Sequence, residues 1–169
     1  MGSVEGRRPN FEEAFRAEYP GVVRVVAPIV GSVADAEAVV QDAFVKAFTR
    51  WRRIGRYDRP GAWVRRVAVR DAVRFAERSR RGGPPPPGGA DPAEAVAAAV
   101  DVQAALLELT PKQRACVVLH YLADWPVDRV AEALGCRAAT VRVHLHRARG
   151  ALAALLQVPA DTEEVTNGR

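Results

Sequence analysis

One stretch, "RRGGPPPPGGADP" from Arg80 to Pro92, constrains what this chain can fold into more than any other. Four consecutive prolines flanked by glycine pairs cannot continue a helix and offer nothing to bury. The stretch reads as a spacer, stiff over Pro84–Pro87 and loose at its ends. It divides the 169 residues into an N-terminal domain over 8–80, a linker over 81–92 and a C-terminal domain over 93–157. The last residues, 158–169, are polar and are expected to form a disordered tail. Neither half alternates apolar and polar residues with period two, and both carry helical periodicity. The expected fold class is therefore all-α: two small helical domains joined by a flexible Pro/Gly-rich linker.

Helix signals fill both halves. "NFEEAF" places Asn10 as a cap with Glu13 three residues on, and Pro20 and Pro28 then predict a kink or two pieces. "SVADAEAVVQDAFVKAFTRW" starts at Ser32 or Asp35 and carries the apolar stripe Val40, Phe44, Ala47, Phe48 and Trp51. In "AWVRRVAVRDAVRFAERSRR", Trp63, Val64, Val67, Ala68 and Phe75 are expected inside. Arg66, Arg70, Arg74 and Arg78 recur every four residues and predict an outer ridge. In the second half, Thr110 caps a helix opened by Pro111, and "WPVDRVAEALG" starts at Pro126 and stops at Gly135. The next helix runs to about Leu156, so the last pair has the form of a helix-turn-helix.

That last helix, "ATVRVHLHRARGAL", puts Val141, Leu145, Ala148 and Leu152 on one face. Val143 and Gly150 point the opposite way, Arg142, His146 and Arg149 line one flank, and Arg147 lies on the other. Long donors on the flanks and small residues between them suit a helix entering a major groove, where arginine bridges two acceptors on guanine. Arg149, a turn further on, suits a phosphate. The plainer reading is a solvated basic face.

A second basic block changes the balance. From Arg50 to Arg81 there are twelve arginines against Asp58, Asp71 and Glu77, an excess of nine in a chain whose formal net charge is +5. Cations track a phosphate backbone, and aromatic faces stack unpaired bases. Trp51 and Trp63 fit the apolar stripes of their own helices, which leaves Tyr57 as the aromatic best placed for a base. No Gly-rich phosphate loop, nucleophile–base pair or metal-ligand cluster is present in the sequence, so no catalytic residue, cofactor or metal is expected. His144 and His146 are two residues apart and point in different directions, and His120 reads as a core histidine. Cys116 and Cys136 form no CxxC pair, the N-terminus lacks the apolar core of a signal peptide, and no run is long enough to span a bilayer. A reduced, cytoplasmic setting is expected.

These segments together resemble the extracytoplasmic-function (ECF) sigma factors of bacterial RNA polymerase, from about Phe11 to Leu156. "DAEAVVQDAFVKAF" is similar to the family's polymerase-binding helix, and "RPGAWVRRVA" to the signature opening its promoter-melting helix. "LLELTPKQRACVVLHYLADWPVDRVAEALGCRAATVRVHLHRARGAL" resembles the family's fourth-region domain, with "ATVRVHLHRAR" as recognition helix.

The resemblance implies a promoter-specificity subunit that binds core polymerase, recognises −35 and −10 elements and helps melt the DNA. Asp35, Glu37, Gln41 and Asp42 would meet the clamp of the largest polymerase subunit. Arg56, Tyr57, Trp63, Arg66, Arg70 and Arg74 would take the unpaired −10 strand. Arg137, Thr140, Arg142, Val143, His146, Arg147 and Arg149 would serve the −35 element. The C-terminal domain would also hold the polymerase flap tip. Many relatives are held by an anti-sigma partner, though no residue of this chain identifies one. Three departures stand out: Arg70 replaces the family's usual Asn, Arg137 replaces a capping Ser, and Val143 replaces a common Ser. Two other readings remain open at this point: a stand-alone helix-turn-helix regulator, and a helical enzyme acting on nucleic acid.

Overall fold

The computed structural model describes residues 10–82 and 96–156. The proline run and the C-terminal tail lie outside the described residues. Within them every regular element is helical. In the first half these are α1 (Phe11–Val30), α2 (Val33–Phe48), the single turn α3 (Trp51–Ile54) and α4 (Pro60–Arg81). The second half has α5 (Val96–Glu108), α6 (Pro111–Val117) continuing into a π-helical turn (Val118–Leu122), α7 (Val127–Leu134) and α8 (Ala138–Leu156).

The local signals explain most boundaries. Asn10 Oδ1 accepts from Glu13 N at 2.8 Å while Asn10 N donates to Glu13 Oε2 at 2.9 Å, which satisfies two orphan donors reciprocally. Ser32, not Asp35, caps α2. Thr110 and Gln113 build a second such box, with Pro111 at the first helical position. Gly135 ends α7 in the left-handed conformation at φ 70°, and its N–H donates back to Glu132 O. Pro126 stands at the cap rather than in the first turn of α7.

The prolines of α1 do not divide it. Pro20 and Pro28 both lie inside one continuous helix. Each removes a bond to the carbonyl four residues back, that of Arg16 or Arg24, and both those residues are exposed, so water can serve the freed oxygens. Packing along the same helix, through buried Val22, Val26 and Ile29, holds it across the gaps.

α1, α2 and α4 pack around Val26, Ile29, Ala36, Val40, Ala43, Ala47, Ala68 and Ala72, all essentially inaccessible. The many alanines let the helices approach closely. An aromatic group of Phe11, Phe15, Tyr19 and Phe44 closes one end, with Phe15 and Phe44 edge to face at 4.8 Å. Phe48 departs from its expected place in the core: it is 63% exposed, although its ring meets Phe11 at 4.9 Å. In the second half, Val130, Val141, Leu119 and Ala148 form the helix-turn-helix core.

The two halves are not held apart, as a tether between separate domains would predict. Their buried residues form one continuous apolar cluster. Val22, Val25 and Val69 face Leu122, Ala123 and Trp125 across a cleft. Leu107 sits so close to Gly31 that a Cβ there would come within 2.7 Å of Leu107 Cδ2.

Polar joints reinforce this contact, and they share one physical device. The last turns of α1, α5 and α7 contain no basic residue of their own. A helix C-terminus exposes unpaired carbonyls and the negative end of the helix dipole, so a cation stabilises it. Arg114 of α6 donates to Leu106 O, Leu107 O and Leu109 O at the end of α5, and to Ile29 O at the end of α1. Arg70 of α4 donates to Ala133 O at 2.8 Å and Glu132 O at 2.9 Å at the end of α7.

Candidate nucleic-acid interface

α8 is positioned by its apolar face. Val141, Leu145 and Ala148 are buried, Leu152 is half-buried against the same core, and α6 and α7 pack behind them. The opposite face is therefore turned to solvent. Arg142, His146, Arg147 and Arg149 are exposed, and Val143 stands between them at 47% exposure. Arg137 and Thr140 are exposed at the entry to the helix, where Arg137 O accepts from Thr140 N and Val141 N. All seven residues expected to serve a −35 element thus lie on one accessible stretch.

His144 is the exception on this helix. It turns inward, half-buried, and its Nδ1 is buried with no hydrogen-bond partner among the described residues. Burial first, then the positive charges of Lys112 and Arg147, hold its pKa below the usual imidazole value, so it is neutral at pH 7. His120 has the core role expected of it, with Nδ1 2.8 Å from Trp125 O.

The basic ridge of α4 is only partly on the outside. Arg74 and Arg78 are exposed, and Arg74 pairs with Asp71. Arg66 and Arg70 are half-buried, turned onto the second half of the molecule. Arg66 Nη1 meets Glu132 Oε1 at 2.9 Å, and Arg70 grips the backbone of α7 as described. This inward turn has an electrostatic cause. The end of α7 offers free carbonyls and the acid Glu132, and Arg66 and Arg70 of the ridge supply the cations that meet them.

Trp63 is half-buried, packed against the core beside Val64 and Ala68. With Tyr57 it lines a slot of about 140 Å³ whose far wall includes Trp125, Arg129 and Glu132. Arg129 lies over the Trp125 ring at 4.1 Å, a cation–π contact that stiffens that wall. Arg56 and Tyr57 are exposed in the loop before α4.

On α2, Glu37, Gln41 and Asp42 are exposed and Asp35 is half-buried near the N-cap. At about 100° per residue, Glu37 and Gln41 share one strip, Asp35 and Asp42 another, with Val45 between them. Val45 and Phe48 are 60% and 63% exposed, so this acidic surface also carries apolar side chains. Phe48 has the period of a core residue yet lies outside the core, His144 and His146 point in different directions as their spacing predicts, and no local pattern marks Glu132 or Arg114. A helix end without its own basic residue was the available signal for the arginine joints.

Two compact helical units, one ending in a helix-turn-helix with its basic face outward and the other carrying a basic helix beside an acidic one, define a class of DNA-binding transcription protein. Comparison with known proteins makes the class specific. Residues 14–82 match the family model described as Sigma-70 region 2, and residues 99–152 match Sigma-70, region 4. The chain is 31% identical over 158 residues to the ECF RNA polymerase sigma factor SigM of Mycobacterium tuberculosis, covering 90% of this chain and 80% of that one. It is 29% identical over 150 residues to the RNA polymerase sigma-E factor of Streptomyces antibioticus, covering 86% and 83%. The solved structure of the sigma factor RpoE in complex with the anti-sigma factor NepR from Bartonella quintana shares the fold. There the TM-score is 0.71 at 22% identity, over 88% of this chain and 97% of that one. The chain belongs to the ECF sigma factors of the sigma-70 family, the sigma subunits of bacterial RNA polymerase.

Proposed function

We propose that this sigma subunit reads a −35 element with α8 and takes the unpaired −10 strand along α4 and the loop before it. The observation that carries the proposal is the outward row Arg142, Val143, His146 and Arg147 on a helix whose inner face is buried. A major groove admits such a helix, and bidentate arginines supply base readout there. Val143 offers a methyl contact in place of a hydroxyl, which favours thymine at its position. Arg137, Thr140 and Arg149 sit around this row and suit the backbone. On the other unit, Arg56, Tyr57, Trp63, Arg66, Arg70 and Arg74 supply the cations and rings that hold a single strand.

The acidic face of α2, through Asp35, Glu37, Gln41 and Asp42, docks on the clamp of core polymerase, and exposed Val45 and Phe48 add apolar area to that contact. The C-terminal unit holds the flap tip. The functional units follow 8–80 and 93–157, with the proline-rich segment between them. The protein has no catalytic centre of its own and works in the cytoplasm beside the polymerase. An anti-sigma protein, the class of partner bound in the Bartonella complex, is the further partner expected here.

Footprinting tests the reading. With core polymerase, the chain should protect two asymmetric blocks upstream of a start site, and alone it should protect neither well. Strong, symmetric protection by the chain alone would instead identify a stand-alone regulator.

A further inference from the structure

α4, α6, α7 and α8 enclose a cleft of about 660 Å³, a volume in the range of small-molecule sites. Arg70, Val73, Arg74 and Glu77 line it from α4. Lys112 enters from the first turn of α6, and Thr140 and His144 from α8. Three cations, Arg70, Arg74 and Lys112, thus stand against the single acid Glu77, an excess of two positive charges among the lining residues.

Much of the donor capacity in this cleft is not spent within the protein. Lys112 Nζ is 3.7 Å from Glu77 Oε1, beyond hydrogen-bonding distance. Arg74 donates to Asp71 through Nη1 alone, at 3.3 Å. Arg70 uses Nε and Nη2 on the carbonyls of α7, and its Nη1 has no partner among the described residues. Neither ring nitrogen of His144 is hydrogen-bonded among them, and Nδ1 is buried, a state that folded proteins rarely leave without a use. The charges of Lys112 and Arg147 lie near enough to depress the His144 pKa, so ring and cations belong to one cluster. The neutral imidazole offers one N–H, and the Thr140 hydroxyl a further donor.

We infer that this cleft binds a small organic phosphate of mononucleotide size. Its phosphate would sit on Lys112, Arg74 and the free edge of Arg70, and its body against Val73 and Leu134. A phosphomonoester carries close to two negative charges and three strong acceptor oxygens, which matches the charge excess and the donors on offer. The volume exceeds what a bare phosphate fills, and the apolar side chains on the same lining give a carbon framework its place. Walls drawn from four helices suit a compact ligand better than a DNA strand running through. A bound ligand would touch both halves of the molecule and stabilise the folded chain by mass action. The site is independent of the promoter assignment, and its test involves neither polymerase nor promoter DNA.

The test titrates adenosine 5′-monophosphate into the full chain and follows the imidazole resonances by NMR. The three histidines report on separate places: His144 on the cleft, His146 on the exposed face of α8, His120 on the core. The His144 resonances should shift to saturation at sub-millimolar ligand, while those of His120 and His146 stay in place. Adenosine, which lacks the phosphate, and inorganic phosphate, which lacks the body, should each bind more weakly by about tenfold or more. Lys112 is 62% exposed, so Lys112→Gln spares the fold, and it should weaken binding of the nucleotide by about tenfold, the loss of one charged donor. Arg52→Gln removes the same charge from an exposed position on α3 and should leave binding unchanged. A stationary His144 would overturn the inference, and so would equal movement of His146, the mark of diffuse attraction to surface arginines. Equal affinity for adenosine or for inorganic phosphate, or full affinity in Lys112→Gln, would overturn it as well. A mixed-sequence single-stranded oligonucleotide that moves His144 at lower concentration than the nucleotide would give the cleft to a DNA backbone instead.

Discussion

Arg114 Nη1 lies 2.8 Å from the carbonyl oxygen of Ile29, joining α6 of the second half to the end of α1 in the first. The same guanidinium satisfies three carbonyls at the end of α5, and the residue is only 6% exposed. Among the described residues no carboxylate bonds to it; four backbone oxygens at two helix C-termini take that place. Burial, reinforced by the charge of Arg80 and partly offset by Glu108, lowers its pKa to about 10, so it remains protonated at neutral pH. This buried charge is tolerated because two helix dipoles point their negative ends at it, with Glu108 adding a smaller favourable charge.

Arg114→Met removes these donors and leaves the four carbonyls underserved at similar side-chain volume. Stability should fall by about 3 kcal/mol, within the usual cost of stranding buried partners of a charged donor. Thermal melting should shift down by roughly 6–12 °C for a chain of this size. Arg114→Lys keeps the charge but not the fork and should fall between the two. An unchanged melt for Arg114→Met would show that the joint contributes nothing.

Cys116 is fully buried, and burial, with a smaller contribution from Cys136, raises its thiol pKa from 9.0 to about 12. Half-buried Cys136 should therefore be alkylated first by iodoacetamide at pH 8, with Cys116 protected until the chain unfolds. Mass spectrometry of a time course gives the order directly. Because the folded state holds this proton more tightly than the unfolded state, its contribution to stability is complete below about pH 9. That contribution is lost as the pH rises from 9 toward 12.

Asp42 is exposed on α2 and makes no contribution to the core. Asp42→Arg should leave the melting transition within about 0.5 kcal/mol of the parent. Affinity for core polymerase should drop by about tenfold or more, since a reversed charge opposes a complementary surface. Competition against a labelled parent chain for core enzyme measures the loss. Equal affinity would remove α2 from the polymerase interface.

Arg147 is exposed on α8, on the flank opposite Arg142. If it reads a base, Arg147→Ala in the holoenzyme should cost about 1–3 kcal/mol on the preferred −35 sequence and little on one altered at that base pair. A uniform loss across all −35 variants would assign it to phosphate instead.

The helices and their caps were legible because they depend on neighbours in sequence: Asn10 with Glu13, Thr110 with Pro111, Gly135 after Leu134. The inner face of α8 was legible for the same reason, as a repeat of three and four residues. What the chain did not disclose is long-range. Arg70 and Arg66 carry the period of an exposed ridge, and only the arrival of α7 from more than sixty positions away turns them inward. Phe48 fits the period of the apolar stripe, yet it is 63% exposed while its neighbour Ala47 is fully buried. Nothing in the neighbouring sequence marks Arg114; its burial depends on the ends of α1 and α5 meeting at one point. The proline run suggested independence between the halves, yet a connection that cannot be helical says nothing about whether the units it joins also pack together.

The most direct measurement is mapping of transcript 5′ ends made by purified core polymerase with and without this chain on fragments of the native genome. The account predicts new, discrete starts that require the chain. Their upstream DNA should share two short elements at a fixed spacing, and Arg147→Ala should redistribute the starts among −35 sequences. If the chain adds no start to those made by core polymerase alone on any fragment, its assignment as a promoter-specificity subunit is contradicted.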